Sequence, residues 1–534
     1  MKFFPIFKQV IEILLVLAYP LLIVVTAGMA DPTNATSAEG MLSEYTAQAA
    51  NSLYPSEYPT FPIYPGEAYS IYPGDEKWNG HYIPDYPGDD TIQIIDMDTN
   101  GTDIFAAVQG IPHQVARWNG TYWTAPNASR TPVSITGKLL SVAAQGSGVY
   151  YGGSFSQIGG KAAENIAYWD GTAWRNLGGG LTASAGGEPA AVHRLLAVGN
   201  AGVIASGTFD HAGTLPVQNI AYWDGSTWHD LGGGLAGPVF ALAGDLNNLY
   251  AGGAFPGAIA KWDGSVWALP GGGIPAPSVV RAVLLKEGSV YAGGTFEFTP
   301  TGGQPIKNVA QLNGSAWNRL GMGAPGPVYS LTDGPGGLYA GGQFDIPQSD
   351  YKTSSIILWN GMTWVPLGSG VHDSWFSWKF TPTVYDLLPF ANQVYVGGKL
   401  SRAGYDRSSG FASYHTQPSL EPYDFPYKPV APGSTIYLVG RYYPVSTDLA
   451  VLINGEVITE DIDANADGKT YITLKTTRFM RDGAYTVTLR SVNDPSVSAS
   501  FTFHLLTGSA SIDTTYWGTY VTIGREIFLP AIRK

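Results

Sequence analysis

The chain has 534 residues, a formal net charge of −13 and only 13% charged residues. That length allows several domains, and the acidic balance argues against a nucleic-acid-binding surface. The absence of cysteine excludes disulfide bonds, thiolate metal sites and a cysteine nucleophile.

Residues 1–30 have the pattern of an export signal. Lys2 and Lys8 precede an apolar run from Ile13 to Val25, and Gly28-Met29-Ala30 offers a small-residue cleavage site. The alternative is an uncleaved membrane anchor, although the run is shorter than the ~20 residues that span a bilayer. We expect an extracellular or cell-surface protein that meets the membrane only if this segment is retained. A large exported β-protein without disulfides favours a bacterial source.

Residues 31–75 are rich in Tyr, Pro, Ser and Ala and show no hydrophobic periodicity. This composition predicts an extended tether. The segment Trp78 to Ile83 follows, and it has the form of a strand junction from the repeat that fills the middle of the chain.

The repeat consists of short apolar runs separated by turn residues. In the copy from Val239 to Leu269, the third run ends in Trp262-Asp263-Gly264, and Trp267 lies on a fourth run. Asp-Gly and Asn-Gly pairs are typical of type I′ turns between antiparallel strands. Four strands in a repeat of about 40–50 residues are typical of a β-propeller blade. The tryptophans of the fourth runs are Trp123, Trp174, Trp228, Trp267, Trp317 and Trp364.

The last repeat contains three strand-like runs, the third being Phe411 to Tyr414, and no tryptophan run follows them. The N-terminal segment has a spare run at Trp78 to Ile83. Pairing the two would remove an open sheet edge. We therefore predict an all-β protein in which residues 76–417 form a seven-bladed β-propeller closed by an N-terminal strand.

A different pattern begins after residue 417. The stretch 418–430 contains Pro418, Pro422, Pro426 and Pro429 and is predicted to be a stiff linker. Residues 431–507 contain short strand-like runs joined by Asn-Gly and Asp-Gly turns, which predicts a small immunoglobulin-like β-sandwich. Residues 508–534 form a tail whose apolar end fits a sorting signal and a last strand equally well.

The repeat resembles the kelch-like propellers, including the galactose-oxidase type and fungal cortical marker proteins. The matching feature is an apolar strand that ends in Gly-Gly, as at Gly252-Gly253 and Gly341-Gly342, with an aromatic residue and a tryptophan after it. The resemblance covers roughly residues 90–417 and implies a fold rather than an activity, because propellers host enzymes, scaffolds and lectins. Without cysteine the chain cannot form the thioether-linked copper centre of the galactose-oxidase type, and we expect no cofactor. The C-terminal segment resembles the small sandwiches appended to bacterial surface proteins.

Three acidic residues are weak candidates for catalysis. Aligning the repeats on Gly-Gly-x-Phe places Asp210, Glu297 and Asp345 at the start of the loops between second and third strands. These loops share one face of a propeller, so the carboxylates could form a cation site or an acid/base pair. Solvated loop residues are the simpler interpretation, because charge on loops is the default.

An unusually aromatic loop is the candidate ligand site. Trp375, Phe376 and Trp378 lie in the insertion from His372 to Phe380. Fully burying one such side chain is worth ~1.5–3 kcal/mol, so either the protein or a ligand such as a sugar polymer must cover them.

A weak metal candidate lies in the C-terminal segment. Asp463, Asn465 and Asp467 have the spacing that opens a calcium loop, but the twelfth position is Leu474 rather than the closing glutamate. An ordinary turn is the simpler interpretation.

The first functional hypothesis is a secreted or cell-surface, non-catalytic binding or adhesion protein. Its partner would be an extracellular polysaccharide or a surface protein. The alternatives are an extracellular carbohydrate-active enzyme that uses the rim carboxylates, and a structural component of a cell-surface layer. Converging acids with raised pKa values would favour the enzyme, whereas dispersed acids beside an aromatic platform would favour binding.

Overall fold

A computed structural model of the protein describes residues 77–81, 92–110, 115–120, 123–127, 133–199, 202–347, 352–372, 382–404, 406–422, 431–444, 447–464, 468–476, 481–509 and 525–528. The predicted export signal and tether lie outside the described residues. The described residues contain β-strands and a 3-10 turn at Pro270–Gly272, and none of them is in an α-helix. No helix long and apolar enough to cross a membrane occurs among them.

Between residues 77 and 415 the described strands form seven larger sheets, each built on four antiparallel strands, and two small three-stranded sheets. We number the sheets 1 to 7 along the chain and the strands from β1 (Trp78–His81) onward. Sheet 1 comprises β2 (Gln93–Thr99), β3 (Ile104–Gln109), β4 (Val115–Trp118) and β5 (Trp123–Thr124). Sheet 2 comprises β6 (Ile135–Gln145), β7 (Gly148–Ile158), β9 (Ile166–Trp169) and β10 (Trp174–Asn176), with β8 (Lys161–Ala162) beside β7. Sheet 3 comprises β12 (Ala191–Val198), β13 (Gly202–Thr208), β16 (Ile220–Trp223) and β17 (Trp228–Asp230).

Sheets 4 to 6 have the same strand order. Sheet 4 comprises β18 (Val239–Asp245), β19 (Asn248–Gly253), β20 (Ile259–Trp262) and β21 (Trp267–Ala268). Sheet 5 comprises β22 (Val279–Lys286), β23 (Ser289–Phe298), β24 (Ile306–Asn313) and β25 (Ala316–Arg319). Sheet 6 comprises β26 (Val328–Gly334), β27 (Gly337–Pro347), β28 (Lys352–Trp359) and β29 (Trp364–Pro366). Sheet 7 comprises β31 (Thr383–Phe390), β32 (Gln393–Lys399), β35 (Phe411–His415) and β1. Two small three-stranded sheets use β11 (Leu181–Thr182), β14 (His211–Ala212) and β15 (Leu215–Pro216), and β30 (Val371–His372), β33 (Arg402–Ala403) and β34 (Asp406–Arg407).

The fourth strand of sheet 7 comes from the N-terminal side of the chain. Trp78 pairs with Tyr414, and the antiparallel register continues to His81 opposite Phe411. Trp78 is 3% exposed, and its indole packs edge-on against the Tyr414 ring at 5.0 Å. A strand near the N-terminus therefore covers the edge that β35 would otherwise expose.

Four of the fourth-strand tryptophans donate a hydrogen bond to the preceding sheet of the series. Nε1 of Trp228 donates to the carbonyl oxygen of Leu177 at 2.9 Å, and Nε1 of Trp267 donates to that of Leu231 at 2.7 Å. Nε1 of Trp364 donates to the carbonyl oxygen of Leu320 at 3.0 Å, and that of Trp78 to the carbonyl oxygen of Leu367 at 2.9 Å. Each acceptor leucine lies three residues after its own sheet's tryptophan. Trp78 thus occupies in sheet 7 the position that Trp228, Trp267 and Trp364 occupy in theirs.

The Asp-Gly turns differ from the predicted type I′ geometry. Trp169 pairs with Trp174, which leaves a four-residue loop rather than a two-residue one. Gly171 has a φ of 95°, and Asp170 instead accepts hydrogen bonds at Oδ1 from the N–H groups of Thr172 and Ala173, both at 2.8 Å. The aspartate therefore stabilises the loop because its side chain accepts these hydrogen bonds, and only the glycine needs a positive φ.

The first strands of neighbouring sheets contact each other in sequence, from β2 to β6, β12, β18, β22, β26 and β31. β31 also contacts β2. Apolar side chains fill the spaces between successive sheets. One cluster joins Ile94 and Ile104 of sheet 1 to Tyr395 and Phe411 of sheet 7.

Two further sheets follow residue 415. One contains β36 (Ser419–Pro422), β37 (Thr435–Arg441), β40 (Thr470–Lys475) and β43 (Arg525–Phe528), and the other contains β39 (Glu456–Asp463), β38 (Asp448–Ile453), β41 (Gly483–Ser491) and β42 (Ser498–Leu505). Both sheets contribute to one apolar core that includes Leu420, Tyr443 and Leu489. Ser419–Pro422, inside the predicted linker, is thus a strand of this region, and Arg525–Phe528 of the tail runs parallel to β40.

The junction between the two regions contains an aromatic stack. The rings of His415 and Tyr442 lie 3.5 Å apart between centroids and 12° from parallel. Nδ2 of Asn79 donates a hydrogen bond to the Tyr442 hydroxyl at 3.1 Å. Tyr442 has a φ of 63°, a conformation that costs energy for a bulky residue. The junction therefore holds Tyr442 in a costly backbone conformation while its side chain contacts two strands of sheet 7.

Candidate functional site at the first strands

Each of the seven first strands carries a β-bulge at the same place. The register shifts by one residue between Val239 and Ala241 in β18, and the other six first strands shift at the corresponding position. A bulge leaves one residue unpaired and redirects its side chain. We call these unpaired residues the bulge residues: Ile95, Leu140, His193, Phe240, Arg281, Tyr329 and Tyr385.

A Gly-Gly pair lies opposite the bulge in sheets 2, 4, 5, 6 and 7. A Cβ on Gly253 would collide with the carbonyl oxygen of Pro238, at the start of the bulged strand in the same sheet. A Cβ on Gly252 would collide with the side chain of Val280, in the first strand of the next sheet. The second glycine therefore makes room for the bulge and the first lets the next sheet approach closely.

Five bulge residues form a continuous line of contacts, which we call the aromatic arc: His193, Phe240, Arg281, Tyr329 and Tyr385. The His193 and Phe240 rings meet edge-on at 5.0 Å, and those of Tyr329 and Tyr385 lie 6.2 Å apart. Between them the Arg281 guanidinium carbon lies 4.8 Å from the Phe240 ring centroid and 5.7 Å from that of Tyr329. Five successive sheets thus each contribute one side chain to a shared surface, on which Arg281 is exposed and the four rings are half-buried.

The residues that follow the bulges form a polar seam, which we define as Asp96, Ser141, Ser330 and Asp386. Each accepts a hydrogen bond from a backbone N–H of the next first strand. Asp96 accepts from Val142 at 2.8 Å, Ser141 from Leu195 at 2.8 Å, Ser330 from Leu387 at 3.1 Å and Asp386 from Met97 at 2.9 Å. The hydroxyl groups of Ser141 and Ser330 donate to Asp96 and Asp386 at 3.0 and 3.1 Å. The seam therefore ties sheet 6 to 7, 7 to 1, 1 to 2 and 2 to 3.

A single arginine offsets the charge of the seam. Nη1 of Arg194, in sheet 3, forms an ion pair with Oδ1 of Asp96 in sheet 1. The Asp96 side chain is 3% exposed, whereas that of Arg194 is 37% exposed, so solvent reaches the arginine. Burial is the main cause that raises the pKa of Asp386 to about 7. The charge of Asp96 contributes to this rise, whereas the charge of Arg194 opposes it. Burial likewise raises the pKa of Asp98 to about 6 and raises that of Asp96. Carboxylates in this cluster are therefore harder to ionise than ordinary ones.

The structure gives Asp210 a local partner rather than a distant one. It follows β13, and its Oδ1 lies 2.6 Å from Nδ1 of His211 and accepts from the Ser184 N–H at 2.9 Å. The hydrogen bond from His211, then those from Ser184, lower the pKa of Asp210 to about 2. A carboxylate held ionised in this way is a poor general acid.

The other two rim acids lie within strands. Glu297 is in β23, opposite Lys307, and its carboxylate is 3.7 Å from Lys307 Nζ. Asp345 is in β27, opposite Ser354. Among the described ion pairs and hydrogen bonds, none joins any two of Asp210, Glu297 and Asp345.

The remaining candidates lie mostly beyond what the structure describes. Trp375, Phe376 and Trp378 fall outside the described residues, as do Asn465 and Asp467. Asp463 is the last residue of β39 and is exposed. Within the described part of the chain, no three His, Asp or Glu side chains are grouped so that they could hold a metal ion.

Sequence reasoning missed the bulge residues, the polar seam and a set of structural asparagines. Asn165, Asn219 and Asn308 have φ values of 64°, 62° and 58°. Asn165 and Asn219 directly precede the third strands β9 and β16, and Asn308 lies near the start of the third strand β24. Oδ1 of Asn165 accepts from the Phe155 N–H at 3.0 Å, and its Nδ2 donates to the Leu181 carbonyl oxygen at 2.7 Å.

The recurrence of asparagine before an Ile-Ala or Val-Ala pair was the available signal for the asparagines. An apolar residue two positions before Asp, Ser or Arg was the signal for the seam.

No family model matches the chain, and no curated protein matches it. Among solved structures, the chain is similar to the crystal structure of a tetra-tandem repeat in the extending region of a large adhesion protein. The identity is 13%, the match covers 78% of this chain and 99% of that chain, and the TM-score is 0.14. A TM-score this low carries no argument about fold or function.

Proposed function

We propose that residues 76–417 form a seven-bladed, kelch-like β-propeller whose ring is closed by the N-terminal strand β1. The contact of β31 with β2 and the pairing of Trp78 with Tyr414 support this proposal. So does the cluster that joins Phe411 of sheet 7 to Ile94 of sheet 1. In this arrangement the first strands would surround the axis, and the aromatic arc would face the central channel. The C-terminal pair of sheets would be an immunoglobulin-like sandwich.

We infer that the protein is a secreted or cell-surface, non-catalytic binding protein for an extracellular polysaccharide. The observation that carries this proposal is the aromatic arc, in which side chains of five sheets share one half-exposed surface. Aromatic surfaces with a few polar groups are typical of binding sites for small molecules and sugars. The export-signal pattern supports an extracellular location.

The acidic residues favour binding over catalysis. Asp386 is buried with a raised pKa, a property that active-site acids also have. However, Oδ2 of Asp386 accepts from the Met97 N–H and Oδ1 accepts from the Ser330 hydroxyl, so both oxygens are engaged in joining sheets. Asp210 is held ionised by His211. Neither carboxyl is therefore arranged as a proton donor to a ligand.

Retention on immobilised polysaccharides tests this function. Residues 31–534 would be passed over a panel of neutral and acidic polymers, and the eluate would be assayed for released reducing sugar. We expect retention on at least one polymer and no sugar release above that of a heat-denatured sample. Sugar release would favour the carbohydrate-active enzyme instead, and absence of retention on every polymer would contradict polysaccharide binding.

The aromatic loop provides a second arm of the same experiment. If Trp375 and Trp378 stack on the polymer, replacing both with Ala abolishes retention while the melting temperature barely moves. If they pack against the protein, the double variant loses several degrees of melting temperature and keeps its binding. The second outcome would assign binding to the aromatic arc rather than to this loop.

A further inference from the structure

Arg281 is held between two aromatic rings without an acidic partner. Its guanidinium carbon lies 4.8 Å from the Phe240 ring centroid and 5.7 Å from that of Tyr329. Within the described part of the chain, no carboxylate lies within ion-pair distance of it. Contact with ring faces leaves the N–H donors in the guanidinium plane free to bind something else.

The contrast with Arg194 shows that this arrangement is not the rule for first-strand arginines. Arg194 pairs with Asp96, and the electrostatic influence of Asp386 and Asp98 also reaches it. Both arginines belong to first strands, but only Arg194 has its charge balanced by the protein. The chain has a net charge of −13, yet the Arg281 guanidinium has no acidic partner and can bind an external anion.

The two ends of the aromatic arc carry uncharged hydrogen-bonding groups. Burial and the nearby Arg281 charge lower the pKa of His193 to about 4, so the imidazole is neutral at pH 7. At the other end of the arc the Tyr385 hydroxyl donates to Oε1 of Gln93 at 3.4 Å. Neutral donors and acceptors on both sides of a single cation suit a ligand that has one negative charge and several hydroxyl groups.

Arg281 lies near the end of sheet 5 that carries the connection between the second and third strands. Arg281 is the third residue of β22, whose first residue Val279 pairs with Thr295. Thr295 lies towards the connection between the second and third strands, the end of the sheet that also carries Glu297. Arg281 itself is exposed. A ligand can therefore reach it from the face that bears these connections.

We propose that the aromatic arc is a binding site for the carboxylate-bearing sugar unit of an acidic polysaccharide. The Arg281 guanidinium would bind the carboxylate through two parallel hydrogen bonds. Phe240 and Tyr329 would provide apolar contact for the sugar ring, and His193, Gln93 and Tyr385 would be in position to bond its hydroxyl groups. This inference rests on the proposed polysaccharide-binding function and names the ligand class that the site selects.

Binding of polygalacturonate to residues 31–534 tests the inference, with dextran as the neutral polymer. Hydrogen bonds to a charged group are worth about 1.5–3 kcal/mol, so Arg281→Met should weaken polygalacturonate binding about 10- to 100-fold. Arg281→Lys keeps the charge without the fork and should lose part of that affinity. The control is Arg319→Met, an exposed arginine on the fourth strand of the same sheet, which should bind like the unaltered protein.

Thermal melting of each variant confirms that it is folded, and Arg281→Lys provides the measurement if Arg281→Met does not fold. Equal affinities for Arg281→Met, Arg281→Lys and Arg319→Met would overturn the site while leaving polysaccharide binding intact. Equal binding of dextran and polygalacturonate would overturn the selection for a carboxylate. Tighter binding of poly-glutamate than of polygalacturonate would reassign the site to an acidic protein partner.

Discussion

The backbone N–H of Met97 donates a hydrogen bond at 2.9 Å to Oδ2 of Asp386, a residue 289 positions later in the chain. Met97 lies in the first strand of sheet 1 and Asp386 in the first strand of sheet 7. The other Asp386 oxygen accepts from Ser330 of sheet 6. One buried carboxyl group thus links three sheets, and two of them are the first and last of the series.

Asp386→Ala should destabilise the repeat region strongly. It leaves the buried Met97 N–H and Ser330 hydroxyl without their acceptor, at a cost of about 2–4 kcal/mol in the free energy of unfolding. Asp386→Asn retains one carbonyl acceptor and should cost less. Urea denaturation followed by tryptophan fluorescence measures both, with the exposed Glu188→Ala as control. A loss below about 0.5 kcal/mol for Asp386→Ala would contradict the role of this carboxyl in joining sheets.

The stability that Asp386 contributes should fall as the pH rises. Its pKa is raised to about 7 in the folded protein, mainly by burial, against ~3.9 in an unfolded chain. The folded state therefore holds the proton more tightly, and this advantage is present below pH 4 and lost as the pH approaches 7. His193 and His372, whose pKa values burial lowers to about 4, act in the opposite direction.

A comparison with Asp386→Asn isolates the carboxyl, because both histidines are present in both proteins. The free energy of unfolding of the unaltered protein minus that of Asp386→Asn should be smaller at pH 8 than at pH 5. Urea denaturation at the two pH values provides the measurement. A difference that is constant, or that grows with pH, would mean that the folded protein does not raise the pKa of Asp386.

Trp78→Ala should destabilise the region even though Trp78 precedes every repeat. The side chain is 3% exposed, packs on Tyr414 and donates to the Leu367 carbonyl oxygen. Truncation of a buried tryptophan costs about 3–5 kcal/mol, and Trp78→Phe, which loses mainly the hydrogen bond, should cost about 1 kcal/mol. Differential scanning calorimetry measures both, with Met362→Ala, at an 84% exposed position, as control. Deletion of residues 31–90 should lower the melting temperature at least as much as Trp78→Ala.

The C-terminal region should fold alone only if its first strand is included. Leu420 of β36 belongs to the core formed by the two C-terminal sheets, and β36 pairs with β37. We expect residues 418–534 to melt cooperatively and residues 431–507, which lack β36 and β43, to melt at a clearly lower temperature. Circular dichroism of the two fragments tests this expectation. Identical melting temperatures would show that neither β36 nor β43 stabilises this region.

The sequence made several elements predictable because their signals are local. The third-strand tryptophans, the Asp-Gly turns and the Gly-Gly pairs recur at short distances, so the four-strand unit could be read directly. The loop geometry could not, because the Asp170 side chain accepts from Thr172 and Ala173 in a turn two residues longer than the type I′ pattern predicts. Prolines near Pro422 suggested a linker where Ser419–Pro422 forms an edge strand, because the pairing of this strand with β37 depends on residues outside the segment.

What the sequence alone determined is the all-β repeat and the surplus tryptophan strand at Trp78, since strand periodicity and turn residues depend only on neighbours in the chain. The tertiary structure decided which side chains share a surface. Arg281 meets Phe240 and Tyr329 because three separate sheets each carry a bulge at the same level, and Arg194 meets Asp96 across 98 residues. Nothing in a single repeat encodes these contacts, because they arise only when the first strands of different sheets are brought side by side.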